Sequence, residues 1–545
     1  MPFDPSYSIF KSLLTLKQKS SFDRLVESAS DPAATQLEVM RRIVQSNRET
    51  EFGRKHDFNE IDSVEDYRQA VPVSDFELLR PYIERQRDEG VQSLTWADPI
   101  CYNRTSGTTG IPKDVPVTGQ TLDETRASSQ LSAYVLARQS EILRGSVFAI
   151  GGSAEEERTV RGMPIGSASG LLYRQQSRFV RSRYVLPPEV FDIDDIDTRY
   201  IAFAVFGLAN AKVSTIATAN PSTFVRLHEV VRDRVETILR HIADGTVPEC
   251  GVDLESVPRN PLRAQQLERV LGARNELKYS QIWPGLTGVV TWCGGSCGFA
   301  LSKLRPLLPD KCEVFEFGYN SSEFRGTINV ELSKNACLPT LSHTFFEFAE
   351  CNDWEAGERR FLGLHELEVD GLYYVFATTS SGLYRYDIND IVKVTGRVHA
   401  TPTIEFVQKG RGVTNITGEK VTESQVLEAV SVLQQKLDLI PHFFLVLADE
   451  ERAQYLLCVE VDSPNDVESA AKCFDDSLRQ LNVEYESKRK SGRLLGVKVV
   501  VLPRGTGFKY RTDLVAAGQR DGQFKYLHLQ YLNNSSLKVP NIDRN

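Results

Sequence analysis

Arg104-Thr105-Ser106-Gly107-Thr108-Thr109-Gly110-Ile111-Pro112-Lys113 packs hydroxyls and glycines into one short run and closes it with a lysine. Small residues let the backbone approach a ligand closely, hydroxyls and amides donate hydrogen bonds, and the lysine adds positive charge. That is the chemistry of a loop that grips a polyphosphate. The spacing excludes a Walker A loop, because Lys113 follows Pro112 and precedes Asp114 instead of closing G-x-x-x-x-G-K-[ST].

The chain around this loop has 545 residues, a length that implies two to four structural units. Its apolar share of 41% and charged share of 25% are those of ordinary soluble domains. The formal charge of -9 and the lack of a long basic tract argue against nucleic acid as a partner; Lys488-Arg489-Lys490 reads as a solvated turn. No signal peptide is expected at the start. The most apolar stretch, residues 200–218, contains Asn210 and Lys212 and reads as a buried helix leading into a strand, so no membrane partner is expected. Nine scattered cysteines without C-x-x-C pairs, and eight histidines without an H-E-x-x-H pattern, read as free thiols of a cytoplasmic protein without a zinc site.

Helical periodicity fills the first hundred residues. Beyond the loop, a long helix over 120–143 and a strand at 145–151 begin an alternation. It continues through 200–209, 212–216, a helix over 223–241, and a strand at 287–291. That strand runs into Cys293-Gly294-Gly295-Ser296-Cys297-Gly298, whose glycines imply a tight turn or close approach to a ligand. Residues 323–406 read instead as antiparallel strands, including 367–369 and 372–377 joined by an Asp370-Gly371 hairpin. The glycine-flanked basic turn at 408–412 reads as a boundary. After it, Thr422-Glu423-Ser424-Gln425 has capping-box spacing and opens a compact α+β unit.

Four later segments suit a nucleotide site, although each alone reads as an ordinary polar turn. They are Tyr319-Asn320-Ser321-Ser322-Glu323, Leu383-Tyr384-Arg385-Tyr386 running to Asp390, Thr417-Gly418-Glu419-Lys420, and Gly505-Thr506-Gly507-Phe508-Lys509. Their order together with the first loop resembles the adenylate-forming superfamily. Tyr319 to Glu323, Gly382 to Tyr386, Asp390 to Val394, Asn220-Pro221-Ser222 and Gly418 to Glu423 resemble its acyl-acid-amido synthetases, the Gretchen Hagen auxin-responsive family. Two departures imply a non-plant member: the first loop is closer to the wider superfamily, and Asn389 stands where the family has glycine.

The resemblance implies an α/β fold. A large N-terminal α/β domain with a β-barrel-like antiparallel portion (1–407) would join a small mobile α+β C-terminal lid (413–545) through a hinge at 408–412. It implies ATP and Mg²⁺, a small-molecule carboxylic acid and an amine as substrates, and a monomer. Adenylation of the acid would be followed by amide formation, releasing pyrophosphate and AMP. Thr105, Ser106, Gly107, Thr108, Thr109, Gly110 and Lys113 would hold the triphosphate. Ser322 would bind the α-phosphate and Glu323 the Mg²⁺, with Ser321 also in the nucleotide site. Tyr319 and Asn320 would border the adenine near Gly294 and Gly295, and Asp390, with Arg385 beside it, would take the ribose. Lys509 would act in adenylation and Lys420 in the second half-reaction. Ala133, Ser214, Trp283 and Leu286 are candidates for the acyl pocket. Thioester formation with coenzyme A shares the first half-reaction and is the competing reading; a catalytically dead binding module is the third.

Overall fold

The computed structural model describes residues 5–105, 113–272, 278–410, 412–417, 419–462, 467–517 and 524–539. It is a mixed α/β structure with a large N-terminal domain and a smaller C-terminal one. The first helices form as the periodicity predicts. Asp31 caps Pro32–Ser46, accepting from the Ala34 amide at 3.0 Å. From that helix the buried Gln36 donates to the carbonyls of Leu341 and Thr344 and accepts from the Phe346 amide. One carboxamide thus pins the N-terminal helices to a sheet some three hundred residues away, with its polar atoms satisfied.

Four short apolar strands, Ser146–Ile150, Val213–Thr218, Gly288–Thr291 and Glu313–Glu316, make a parallel sheet in that spatial order. The near-continuous burial of the two central strands, Val213–Thr218 and Gly288–Thr291, is what a parallel sheet covered by helices demands. Ile196–Ala209 covers it, contributing Phe203 and Val205 to the core. The helix expected over 223–241 is two, Ser222–Asp233 and Val235–Asp244, parted at Arg234.

Further on, Phe345–Glu350, Leu372–Thr378, Tyr386–Val398 and Thr401–Lys409 form an antiparallel sheet in sequence order. Residues 367–369 are not a strand, so Asp370-Gly371 is a turn entering Leu372–Thr378 and not a hairpin. Arg385 precedes the third strand, and its placement corrects the expectation that it serves the nucleotide. Its buried guanidinium grips Glu347 at 2.8 and 3.2 Å and donates to the carbonyls of Arg68 and Val71. Arg68 binds the same carboxylate at 2.9 Å.

In the C-terminal domain the strands order as Lys498–Val501, Gln454–Glu460, Phe443–Asp449 and Leu529–Tyr531. Thr422 and Gln425 make the capping box of Glu423–Leu437. Lys488, Arg489 and Lys490 are not a turn but the last turn of the helix Val483–Lys490, where cations suit the helix dipole and Arg489 also pairs with the buried Asp475 at 2.8 Å. Gly505 to Lys509 likewise opens a helix, Thr506–Ala516. The amides of Gly505 and Gly507 bind the Glu460 carboxylate at 2.7 and 2.8 Å, and the glycines themselves are required by the left-handed φ of +84 at Gly505 and by Phe443, whose side chain a Cβ at Gly507 would meet at 2.4 Å.

At the seam between the domains, the Glu423 amide donates to the Gly412 carbonyl, the Ser424 amide to Gln408 Oε1, and the His528 amide to Glu423 Oε1 at 2.6 Å. Burial pushes the Glu423 carboxyl up to about 7, more than the His528 amide and Lys525 hold it down. The folded chain therefore binds this proton more tightly than the unfolded chain does. The associated stability is full below the ordinary value of 4.5 and is lost as pH rises to about 7. Glu423→Gln is expected to flatten the pH dependence of the melting temperature across that window. Differential scanning calorimetry at several pH values checks it, and an unchanged slope would refute it. Glu347→Ala, which strands two guanidiniums, is expected to cost about 3–5 kcal/mol in urea unfolding; Glu347→Gln should cost less.

Candidate active site

A cavity of about 960 Å³ opens at the carboxyl ends of the parallel strands, where open α/β sheets bind ligands. The segments that follow each strand line it: Gly151-Gly152, Ala219, Trp292-Cys293-Gly294 and Phe317 to Arg325. One lobe runs beneath the helix Gly119–Gln139, where Leu122, Ala133, Leu136 and Val147 give apolar walls and the hydroxyls of Thr125, Ser129 and Ser132 among them donate back to carbonyls of the helix. The other lobe is polar and carries Lys113, Gly294, Tyr319 to Glu323 and Asp390.

The polar lobe is built around Asp390. Asn389, which precedes it, has φ +56, a left-handed backbone that glycine or asparagine adopts at low cost. That explains why asparagine can stand at this position. The Tyr319 hydroxyl donates to Asp390 Oδ2 at 2.9 Å, and Lys409 Nζ lies 2.5 Å from Oδ1. Tyr319 is buried, and its ring stacks on Phe406 with centroids 6.1 Å apart. Its hydroxyl therefore positions the carboxylate. Burial beside Asp390 pushes the phenol well above its ordinary range, so it stays a donor.

Asn320 donates to the carbonyls of Phe317 and Gly318, and its Oδ1 is buried without a partner. Ser321 Oγ accepts from the amides of Glu323 and Phe324, which curls the loop and sets Glu323 on the cavity wall. The Ser322 carbonyl accepts from Asn103 at 2.5 Å. Lys113 also lines the cavity, its Nζ 3.4 Å from the Tyr386 hydroxyl. Thr105 ends the strand Pro99–Thr105. Ser106, Gly107, Thr108, Thr109 and Gly110 lie outside the described residues, as does Gly418.

Glu316, a residue the sequence reading passed over, clamps two of these loops. Its carboxylate accepts from the Cys293 amide at 2.7 Å and the Gly318 amide at 3.0 Å, and burial pushes it up. Gly294 lines the cavity, but a side chain there would meet the Phe406 carbonyl at 2.5 Å. The glycine is required by neighbouring backbone. Gly295, at φ +56, turns the chain and is not part of the cavity wall.

The C-terminal domain adds Glu423, Lys525, Tyr526 and Leu527. Lys525 Nζ lies 4.0 Å from the centroid of the Trp292 ring and 5.2 Å from that of Phe406. Among the described residues, this is the cation the small domain presents to the cavity. Lys509 is exposed and outside the lining, and Lys420, also outside it, has its Nζ 3.4 Å from Glu355. Lys525 stands between Phe524 and Tyr526 as Lys509 stands between Phe508 and Tyr510, so no local signal in the sequence separates the two. Three acyl-pocket candidates are corrected as well. Ser214 donates to the Ile142 carbonyl at 2.5 Å. Trp283 donates to the Asn210 carbonyl at 2.9 Å. Leu286 packs beside Trp283 in the core of the sheet. None of the three lines the cavity.

Among the described residues no cluster of three or more metal-ligating side chains exists, and no helix is long and apolar enough to cross a membrane. All nine cysteines are free.

Comparison with known proteins gives one answer along most of the chain. Three family signatures match in order: the GH3 family N-terminal domain over residues 21–312, the central domain over 337–409 and the C-terminal domain over 424–532. The jasmonoyl–L-amino acid synthetase JAR6 of Nicotiana attenuata is 24% identical over 95% of this chain and 95% of its own. The indole-3-acetic acid-amido synthetase GH3.10 of Arabidopsis thaliana is 25% identical over 95% and 96%. The solved structure of the GH3.15 acyl acid amido synthetase superposes with a TM-score of 0.81 at 21% identity, covering 96% of this chain and 94% of that one. A 2-hydroxyisobutyryl-CoA ligase in its postadenylation state follows at 0.52 and 14%, covering 90% and 94%. Since the N-terminal signature alone spans more than half of its length, the chain belongs to the GH3 family.

Proposed function

We propose that this chain is an ATP-dependent acyl-acid amido synthetase. One observation carries the reading: a single cavity joins the Ser321–Glu323 loop, the Tyr319–Asp390–Lys409 cluster and Lys525 to an apolar lobe wide enough for an organic acid. A carboxylate is a poor electrophile because its charge is shared by two oxygens. In the reading, the acid's oxygen attacks the α-phosphorus of ATP, the bond to pyrophosphate breaks, and a mixed anhydride forms. An amine then attacks the acyl carbon, loses a proton and releases AMP, leaving an amide.

Asp390 would accept the ribose hydroxyls, with Tyr319 and Lys409 holding it in place. The unpartnered Asn320 Oδ1 suits the exocyclic amine of adenine. Lys113 and residues 105–110 would flank the β- and γ-phosphates. Glu323 supplies one carboxylate oxygen, which is what Mg²⁺ takes from protein when phosphates and water complete its shell; bound there, the ion would offset charge on the phosphates. Lys525 takes the role that the resemblance gave to Lys509, a cation beside the charge that develops at the α-phosphate. The seam at 408–412 would act as the hinge through which the small domain withdraws Lys525 and admits the amine, with Lys420 serving that second arrangement. The free cysteines support a reducing, cytoplasmic setting.

Lys525→Ala is expected to slow acid-dependent ATP–pyrophosphate exchange on the order of 10²-fold, while Lys509→Ala changes it little; the reverse ranking would return the role to Lys509. Asp390→Asn is expected to raise the KM for ATP roughly ten- to a hundredfold, the range for lost charge-assisted hydrogen bonds, leaving the KM for the acid near wild type. AMP release over a panel of acids, with amino acids, polyamines or coenzyme A as acceptor, tests the reaction itself. Amide product supports the reading. AMP release that needs coenzyme A and yields no amide would replace it with thioester synthesis.

A further inference from the structure

Arg325 is the cavity residue that the proposed mechanism leaves unused. It lies two positions after Glu323, and its backbone bridges to Asn320, so it belongs to the same rigid loop. Its guanidinium carbon sits 4.7 Å from the centroid of the Phe317 ring. Phe317 packs against the apolar cluster that contains Leu143 and Val147, and both of those line the acyl lobe. Arg325 thus stands where the polar and apolar lobes meet.

Among the described residues, no hydrogen-bond acceptor or carboxylate meets this guanidinium. Its Nε is buried without a hydrogen-bond partner, and among the described residues it forms no ion pair with a carboxylate. Burial alone pushes the guanidinium down to about 10, with no neighbouring charge to restore it, and it still carries its charge at neutral pH. The ring of Phe317 attracts the cation but accepts none of its in-plane N–H groups. Two other cations of the cavity are held by oxygen acceptors. Lys409 pairs with Asp390, and Arg183 donates to the carbonyls of Leu143 at 2.5 Å and Arg144 at 2.8 Å. The residue is half-buried, and a guanidinium whose Nε is shielded from water without a partner is costly unless something binds it.

We propose that Arg325 binds the carboxylate of the acyl acid at the junction of the two lobes, through the paired N–H groups of its guanidinium. The inference rests on the amido-synthetase reading of the cavity. The planar fork matches a carboxylate in two parallel hydrogen bonds, which fixes the orientation as well as the position of the acid. The apolar lobe then takes the remainder of the molecule, and the loop that carries Glu323 holds the reacting oxygen near the phosphate side. The acid class this favours is a monocarboxylate with an apolar body.

The test compares acids with their own primary amides, which keep the shape and lose the charge: benzoate with benzamide, hexanoate with hexanamide, and indole-3-acetate with indole-3-acetamide. Calorimetric binding to the full chain is expected to favour at least one acid over its amide by about tenfold or more. Arg325→Met is expected to erase that preference, and Arg325→Lys to keep part of it as a point charge. Thermal melting of Arg325→Met, Arg325→Gln and Arg325→Lys shows which variants are folded, and the folded ones carry the comparison. A wild type without any acid preference, or a folded neutral variant that retains it, overturns the assignment. A loss confined to dicarboxylates, measured with succinate against its monoamide, also overturns it, because the guanidinium would then serve a remote group. AMP release is measured separately. Failure there with the binding preference intact strikes the amido-synthetase reading and leaves Arg325 as a carboxylate site.

Discussion

The carboxylate of Asp390 ties the architecture together. Tyr319 reaches it from the loop after the last parallel strand, and Lys409 reaches it from the end of the antiparallel sheet. Two sheets built by different rules meet at one buried negative charge. Removing the charge would leave Lys409 desolvated and Tyr319 without an acceptor, so the carboxylate holds the lobes in register whether or not a ligand is present. Glu316 makes a second tie, joining the Cys293 and Gly318 amides. The cavity owes its shape to these two carboxylates as much as to its apolar walls.

Much of the fold was legible in the sequence because its signals are local. Hydrophobic runs of strand length, the Asp31 and Thr422 caps, and the shift from alternating helices and strands to antiparallel pairing each express short-range physics. The misreadings were also local in cause. Asp370-Gly371 has the composition of a hairpin, but residues 367–369 find no partner strand. Gly505 and Gly507 look like ligand-binding glycines, and they bind the Glu460 side chain instead.

The site was legible where residues adjacent in sequence remain adjacent in space, as from Tyr319 to Glu323. It was not legible where the chain folds back over long distances. Lys525 meets Trp292 across more than two hundred residues, and nothing in the composition around it sets it apart from Lys509. Arg385 failed for the opposite reason. It sits in a recognisable motif, but Glu347 and Arg68, which decide its role, are remote in sequence.

Gly294 has a consequence for how variants of this chain would be interpreted. A side chain there collides with the Phe406 carbonyl, on the strand that ends in Lys409. Displacing that strand carries Lys409 away from Asp390. A mutational screen scored on nucleotide affinity would therefore rank position 294 among the ligand contacts, although its effect travels through a strand shift. Sensitivity to substitution at this glycine measures the clearance between two backbones, and a map of sensitive positions would draw the site larger than the surface a nucleotide touches.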